Sequence, residues 1–166
     1  MKKALILSVM LNLILVVALV FIIKSNETTV YTFSGENDYF VIERGDIVKN
    51  REFENISYFG FKIKDDIPSN AYGYTMELYF IDGDEKIVIT RSGSKYNPDL
   101  GISKTKADVQ QQLETFERDA WGNVVRQLQK VSDKNIINNF YFEITFITHD
   151  GQEITQTLKL DVVKTE

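Results

Sequence analysis

The chain has 166 residues, 43% of them hydrophobic, a formal net charge of −5 and no cysteine. The missing cysteine removes disulfides, thiol catalysis, thiolate metal sites and cysteine-borne lipid anchors. Setting aside Lys2, Lys3 and Lys24 leaves 16 basic residues against 24 acidic, a net charge of −8 that suits neither nucleic acid nor anionic lipid heads, so no nucleic-acid partner is expected.

Residues 1–3 read as a cytoplasmic stub and residues 4–23, Ala4 to Ile23, as a transmembrane anchor in contact with membrane lipid. This run is apolar apart from Ser8 and Asn12. Twenty helical residues span about 30 Å, the thickness of a bilayer's hydrocarbon core. Lys2 and Lys3 precede the run, so the positive-inside rule puts the N-terminus in the cytoplasm and the rest outside the cell membrane. The competing reading is a cleaved signal peptide. It needs a shorter apolar region and a pair of small residues, whereas Val16 to Ile23 is bulky. Residues 24–29 read as a linker and 30–166 as one extracytoplasmic domain. The 142 residues from Ser25 onward suffice for a single self-supporting core.

Beyond the linker the apolar residues alternate with period two, the mark of strands with one buried face. Val30 to Phe33 is a first strand and Ser34 to Asp38 a loop. Tyr39–Ile42 and Ile47–Lys49 are expected to flank a tight hairpin at Arg44-Gly45. Phe59, Phe61 and Ile63 alternate next, followed by Tyr74, Met76, Leu78 and Phe80. A two-residue Asp82-Gly83 loop, a favoured type I′ sequence, would set Leu78 opposite Ile87 and Met76 opposite Ile89. The final hairpin is settled by parity. A three-residue loop, His149-Asp150-Gly151, faces Phe146 with Ile154 and Phe142 with Leu158, whereas a two-residue loop would waste the apolar face. Gly151 should then be left-handed. Between these strand groups, residues 105–131 read as one helix. Thr105 is its N-cap, Asp108 closes a capping box, and Val109, Leu113, Phe116, Ala120, Val124, Leu128 and Val131 form its apolar stripe. The expected fold is mainly β with one helical insert: an antiparallel β-sandwich or curved sheet of about eight strands.

The stretch Tyr31-Thr32-Phe33-Ser34-Gly35-Glu36-Asn37-Asp38 resembles the Phe-Ser-Gly-Glu-Asn/Ser opening of small ectodomains in uncharacterised membrane-anchored proteins and lipoproteins of Bacillus-like bacteria. The resemblance implies an extracytoplasmic β-rich domain and transfers no catalytic residue.

The sequence holds no nucleophile elbow, no His-Glu-x-x-His, no P-loop and no dinucleotide fingerprint. Its single histidine, His149, falls at a hairpin loop. Enzymatic activity is therefore not expected. Arg44-Gly45-Asp46 spells an integrin-recognised tripeptide, but the hairpin already accounts for Gly45. Asp82-Gly83-Asp84-Glu85 departs from the EF-hand template, which wants glycine where Ile87 stands and glutamate where Gly93 stands. If the first strands run up and down, Glu36, Asp38, Asp82 and Asp84 share one end and form a candidate weak calcium site. No other cofactor is indicated. Asn26-Glu27-Thr28 and Asn55-Ile56-Ser57 match the N-glycosylation pattern. Tyr58 and Tyr79 point to the outer face and are the candidate binding surface. The function expected is a single-pass anchored binding or scaffolding module for an unknown protein or cell-envelope partner. The alternatives are an envelope-acting hydrolase using carboxylates, and a structural subunit that acts through its anchor helix with Asn12 as an interhelical donor.

Overall fold

The computed structural model describes residues 2–25, 27–50, 54–57, 59–64, 66–94, 105–116 and 131–165. The order is α1 (Lys2–Ser25), β1 (Thr29–Glu36), β2 (Phe40–Lys49), β3 (Glu54–Ile56), β4 (Phe61–Ile63), β5 (Ala71–Asp82), β6 (Glu85–Ser94), α2 (Lys106–Phe116), α3 (Asp133–Asn138), β7 (Phe140–Thr148), β8 (Glu153–Lys159) and β9 (Asp161–Thr165).

Two antiparallel sheets form a sandwich. The first runs β3-β2-β1-β9, with β4 also pairing β2, and the second runs β6-β5-β7-β8. The chain leaves the first sheet after β4 and returns to it only at Leu160, where β8 passes into β9 beside β1. Among the described residues nine strands thus stand where about eight are expected from the pattern.

Aromatic rings bridge the layers. Phe33 meets Phe140 edge-on at 5.1 Å, and Phe40 meets Phe142 at 5.2 Å. Phe33, Phe40, Phe61, Phe80, Phe140 and Phe142 are all essentially inaccessible to solvent. Edge-to-face contacts add roughly 0.5–1.5 kcal/mol each to the burial of these large apolar surfaces.

The last hairpin follows the parity argument: Phe146 faces Ile154, Phe142 faces Leu158, and Gly151 has φ +80°. The N–H of Gly151 bonds the carbonyl of Thr148 at 2.8 Å, closing the turn.

Other local expectations fail for identifiable reasons. Arg44 and Gly45 are not a hairpin. They lie inside β2, and Gly45 does not adopt the positive φ that a tight turn asks of it. The chain keeps straight because β1 supplies a partner throughout: Phe33 pairs with Gly45 and Gly35 with Ile42, so Glu43 and Arg44 bulge opposite Ser34. Ser34 to Glu36 accordingly extend β1 rather than forming a loop.

The β5–β6 loop also sits one residue later than expected. Asp82 pairs with Glu85, leaving Gly83-Asp84 as the loop, with Gly83 at φ +61° and no positive φ at Asp84. That is the pattern of a type II′ turn, with glycine at its first central position. Phe80 then faces Ile87, and an irregularity beside Ile89 shifts the rest of the ladder.

Of the helix expected over 105–131, α2 accounts for 106–116, while Ala120, Val124 and Leu128 lie outside the described residues. The capping box forms: Asp108 accepts from the N–H and hydroxyl of Thr105 at 2.7 and 2.8 Å. Val131 is buried but not helical, and a separate short helix, α3, starts after Ser132, whose side chain caps Asn135. Val109 and Leu113 of α2 and Ile136 of α3 are buried in the common core.

Among the described residues no helix is long and apolar enough to cross a membrane. The described side chains of α1 are those of residues 8–20, about 20 Å of helix at 1.5 Å per residue.

Candidate functional site

A concave region begins with β4. This strand is only three residues long and pairs with the start of β2, Phe40 with Ile63 and Ile42 with Phe61. The first two turns of α2 stand across from it, held by the capping box and by an ion pair between Lys106 and Asp66 at 3.0 Å. Between β4 and α2 lies a cavity of about 240 Å³, walled by Lys62 and Ile63 on one side and by Gln110, Leu113 and Glu114 on the other. It adjoins an apolar pit of about 80 Å³ formed where Phe61, Ile63 and Ile67 meet Phe146 and Ile154 of the second sheet. Tyr39 and Ile154, at the rim, are 44% and 37% exposed, unusual for large side chains in this body. Glu43 and Lys62 pair across β2 and β4 beside the cavity.

A charged network covers the outer face of the second sheet. Glu77 and Glu143 stand directly opposite each other on β5 and β7. Like charges so placed destabilise a sheet unless neutralised. Lys86 neutralises both, reaching Glu77 at 2.9 Å and Glu143 at 2.8 Å, and Arg91 adds a second ion pair to Glu77 at 2.5 Å. Burial alone would raise the Glu77 pKa, but the hydrogen bonds and charges of Lys86 and Arg91 hold it below the ordinary carboxylate value. Lys86 is loaded in the opposite sense: burial lowers its pKa, and its two carboxylate partners more than offset this and raise it. Its ammonium also rests 4.1 Å from the centre of the Tyr79 ring.

The candidate residues separate. Tyr79 lies on the outer face as expected, but it is only 6% exposed, roofed by Lys86 and stacked on Tyr141 at 5.4 Å. Tyr58 lies outside the described residues. Of the four candidate metal ligands, Asp82 ends β5, where it accepts from Asn135 of α3 at 2.7 Å, and Asp84 lies in the β5–β6 loop. Glu36 instead pairs with Lys64 at 2.6 Å, and Asp38 sits in the turn between β1 and β2, beside Asn37. Asn37 reaches the Thr157 carbonyl of β8 at 3.5 Å. Among the described residues no group of three acids or histidines is placed to hold a metal ion.

The Arg-Gly-Asp tripeptide is part of a ladder rather than a loop tip: Arg44 lies 3.6 Å from Asp46, which also accepts from Thr32 at 3.0 Å. His149 is exposed at its hairpin, tilted against Tyr72 at 5.0 Å. The side-chain oxygen of Asn55 is enclosed, which leaves that sequon poorly presented. Asn12 donates to the Ser8 carbonyl at 3.0 Å, so its amide is engaged within α1 itself.

A further cluster ties α3 to the first sheet. Asp133 lies 3.3 Å from Lys164 and 3.8 Å from Lys49, whose ammonium also donates to the Val131 carbonyl at 2.9 Å. The Tyr31 hydroxyl is buried beside it without a partner in bonding geometry. Burial and the neighbouring carboxylate of Asp133 push the Tyr31 pKa well above its ordinary value.

Neither the β4–α2 cavity nor the carboxylate network stands out in the sequence. The alternation of Phe59, Phe61 and Ile63 marks a strand, but nothing local says that α2 docks across from it. Comparison with protein-family models, curated proteins and solved structures gives no match to this chain.

Proposed function

We propose that the protein is a single-pass membrane-anchored module that holds a β-sandwich outside the cell and binds a protein or cell-envelope partner there. The observation that carries the tethering is the state of α1. Every described side chain from residue 8 to 20 is exposed, with Val9, Leu11, Leu13, Val16 and Leu19 between 58% and 66%, so no face of this apolar helix is spent on the folded body. A helix apolar all round finds its solvent in a bilayer. Together with the length of the 4–23 run and the lysines before it, this supports an anchor with the N-terminus inside.

Binding is favoured over hydrolysis by the state of the acids. Glycosidase-type chemistry needs two carboxylates facing a cavity with their pKa values pushed apart. Glu77 and Glu143, which the fold does bring together, share one lysine on an outer sheet face. The cavity beside β4 divides its lining evenly between apolar side chains and polar or charged ones and adjoins a mainly apolar pit, a mixture that suits recognition of a partner with both kinds of group.

The test is photo-crosslinking of the full chain in native membranes, paired with protease treatment of intact cells. An anchored external module is digested from outside, stays with the membrane through alkaline extraction, and captures a defined partner. Protection from external protease, or release of mature material beginning near residue 26, would refute the anchored reading.

A further inference from the structure

We propose that the free edge of β4, with the groove separating it from α2, docks one extended strand of a partner protein, a strand carrying an aliphatic side chain next to a basic one. The proposal rests on the binding-module reading and names its site and the chemistry of its partner.

The argument starts from the main chain. In an antiparallel ladder, alternate residues bond the neighbouring strand and the others point away from it. The N–H of Glu43 bonds the Gly60 carbonyl at 2.9 Å, and the N–H of Lys64 bonds the Tyr39 carbonyl at 2.8 Å. Gly60, Lys62 and Lys64 therefore spend their main-chain groups on β2. Phe61 and Ile63 turn theirs the other way, toward α2. Among the described residues no strand pairs with that side of β4. Native sheets blunt such edges by keeping them short and charged, as here with a strand of three residues, Phe61–Ile63, and lysines at 62 and 64, yet a short edge still offers a site for strand addition.

The groove has the shape this requires. A pairing strand would lie about 4.8 Å from β4, on the side where the cavity of about 240 Å³ separates β4 from α2. A side chain pointing inward would meet the 80 Å³ apolar pit, room for a small aliphatic group. Charge sets the neighbouring residue. Lys62 is matched by Glu43, and Asp66 by Lys106. Glu114 accepts only an amide hydrogen bond, from Gln110 at 3.2 Å, and has no cationic partner among the described residues. A body of net charge −8 whose groove wall carries a carboxylate with no cationic partner among the described residues selects a basic residue on the incoming strand.

Position agrees as well. Three residues join Ser25 to Thr29, so the first residue of β1 stays within about 14 Å of the end of α1. The groove lies toward the other end of β1, where Gly35 and Glu36 pair with Ile42 and Val41, roughly 20 Å along the strand. The groove is thus separated from the end of α1 by most of the length of β1.

The probe is a short fluorescein-labelled peptide of alternating valine and arginine, titrated by anisotropy onto the full chain in nanodiscs. Binding should be saturable, and an N-methylated version of the peptide, unable to donate main-chain bonds, should not bind. Ile63→Pro deletes one N–H facing the groove and leaves the bonds of Lys62 and Lys64 intact; it should weaken binding about tenfold, the loss of one hydrogen bond. Glu114→Lys, on an exposed helical face where folding is not at stake, should switch the preference to a valine–glutamate peptide. Equal binding of the N-methylated peptide, or unchanged preference in Glu114→Lys, overturns the proposal. So does a benzophenone in place of Gln110 that crosslinks to residues 95–104 or 117–130 of this same chain, because the groove is then already filled. If native crosslinking captures a partner whose contacts map elsewhere, this site is wrong and the binding-module reading stands. If neither peptide nor partner is captured, both fall.

Discussion

Gly45 gives the sharpest test of the fold. It does not adopt a left-handed backbone, so conformational freedom is not what it supplies. It supplies space: a Cβ built there would come within 2.7 and 2.8 Å of two ring carbons of Phe33, and closer still to a third. Phe33 cannot step aside, being inaccessible to solvent and boxed in by Phe59 at 5.6 Å and Phe140 at 5.1 Å. For Gly45→Ala two effects compete. Alanine in a strand gains about 0.5–1 kcal/mol of backbone entropy over glycine. Overpacking a close-packed core costs about 1–3 kcal/mol, and contacts this short put the cost at the upper end. The net expectation is a loss of about 2 kcal/mol, or about 6 °C in Tm for a body of this size. The assay is near-ultraviolet circular dichroism of the full chain in micelles on heating, which follows the aromatic core rather than α1. Adding Phe33→Leu should recover part of the loss, so the double variant should be more stable than the sum of the single effects by at least about 1 kcal/mol. An unchanged or raised Tm in Gly45→Ala would refute the reasoning, since that is how a glycine in an open strand responds.

The opposite behaviour is expected of Gly151. Nothing lies within 4 Å of its would-be Cβ, so Gly151→Ala should cost only the left-handed backbone penalty of about 1–2 kcal/mol, measured by the same melt. Thr105→Ala removes the N-cap of α2 and should cost about 1 kcal/mol, with faster amide exchange confined to the first turn of that helix. Glu77 has a folded pKa below its unfolded value, so its contribution is present above about pH 4.5 and lost as pH falls through the depressed value. Wild type should therefore melt lower in acid than at neutral pH. In Lys86→Met that gap should narrow, because protonation then relieves the facing pair Glu77 and Glu143. Asp133→Asn should lower stability by under about 1 kcal/mol, since its ion pairs are half exposed, while shifting Tyr31 ionisation to lower pH in a spectrophotometric titration.

What residues separated by two to four positions decide was readable from the chain. The period-two runs name most strands, Thr105 and Asp108 mark a helix start, and the parity of Phe146 against Ile154 fixes a three-residue loop. Each depends on neighbours a turn or a hairpin away, where geometry is nearly invariant. The same local logic misread Arg44-Gly45 as a turn, because the ring that needs its bare backbone belongs to Phe33 on a different strand. It placed Tyr79 on the outer face but could not show that Lys86 covers it. Nor could it foresee that Glu77 and Glu143 face each other, which follows only once β7 pairs with β5 across more than fifty intervening residues. The groove beside β4 exists because α2 docks there, through Leu113 packing into the core and Lys106 reaching Asp66. Partner choice among strands and helices is settled by the shared burial of the whole core, a quantity to which every segment contributes and which no single segment contains.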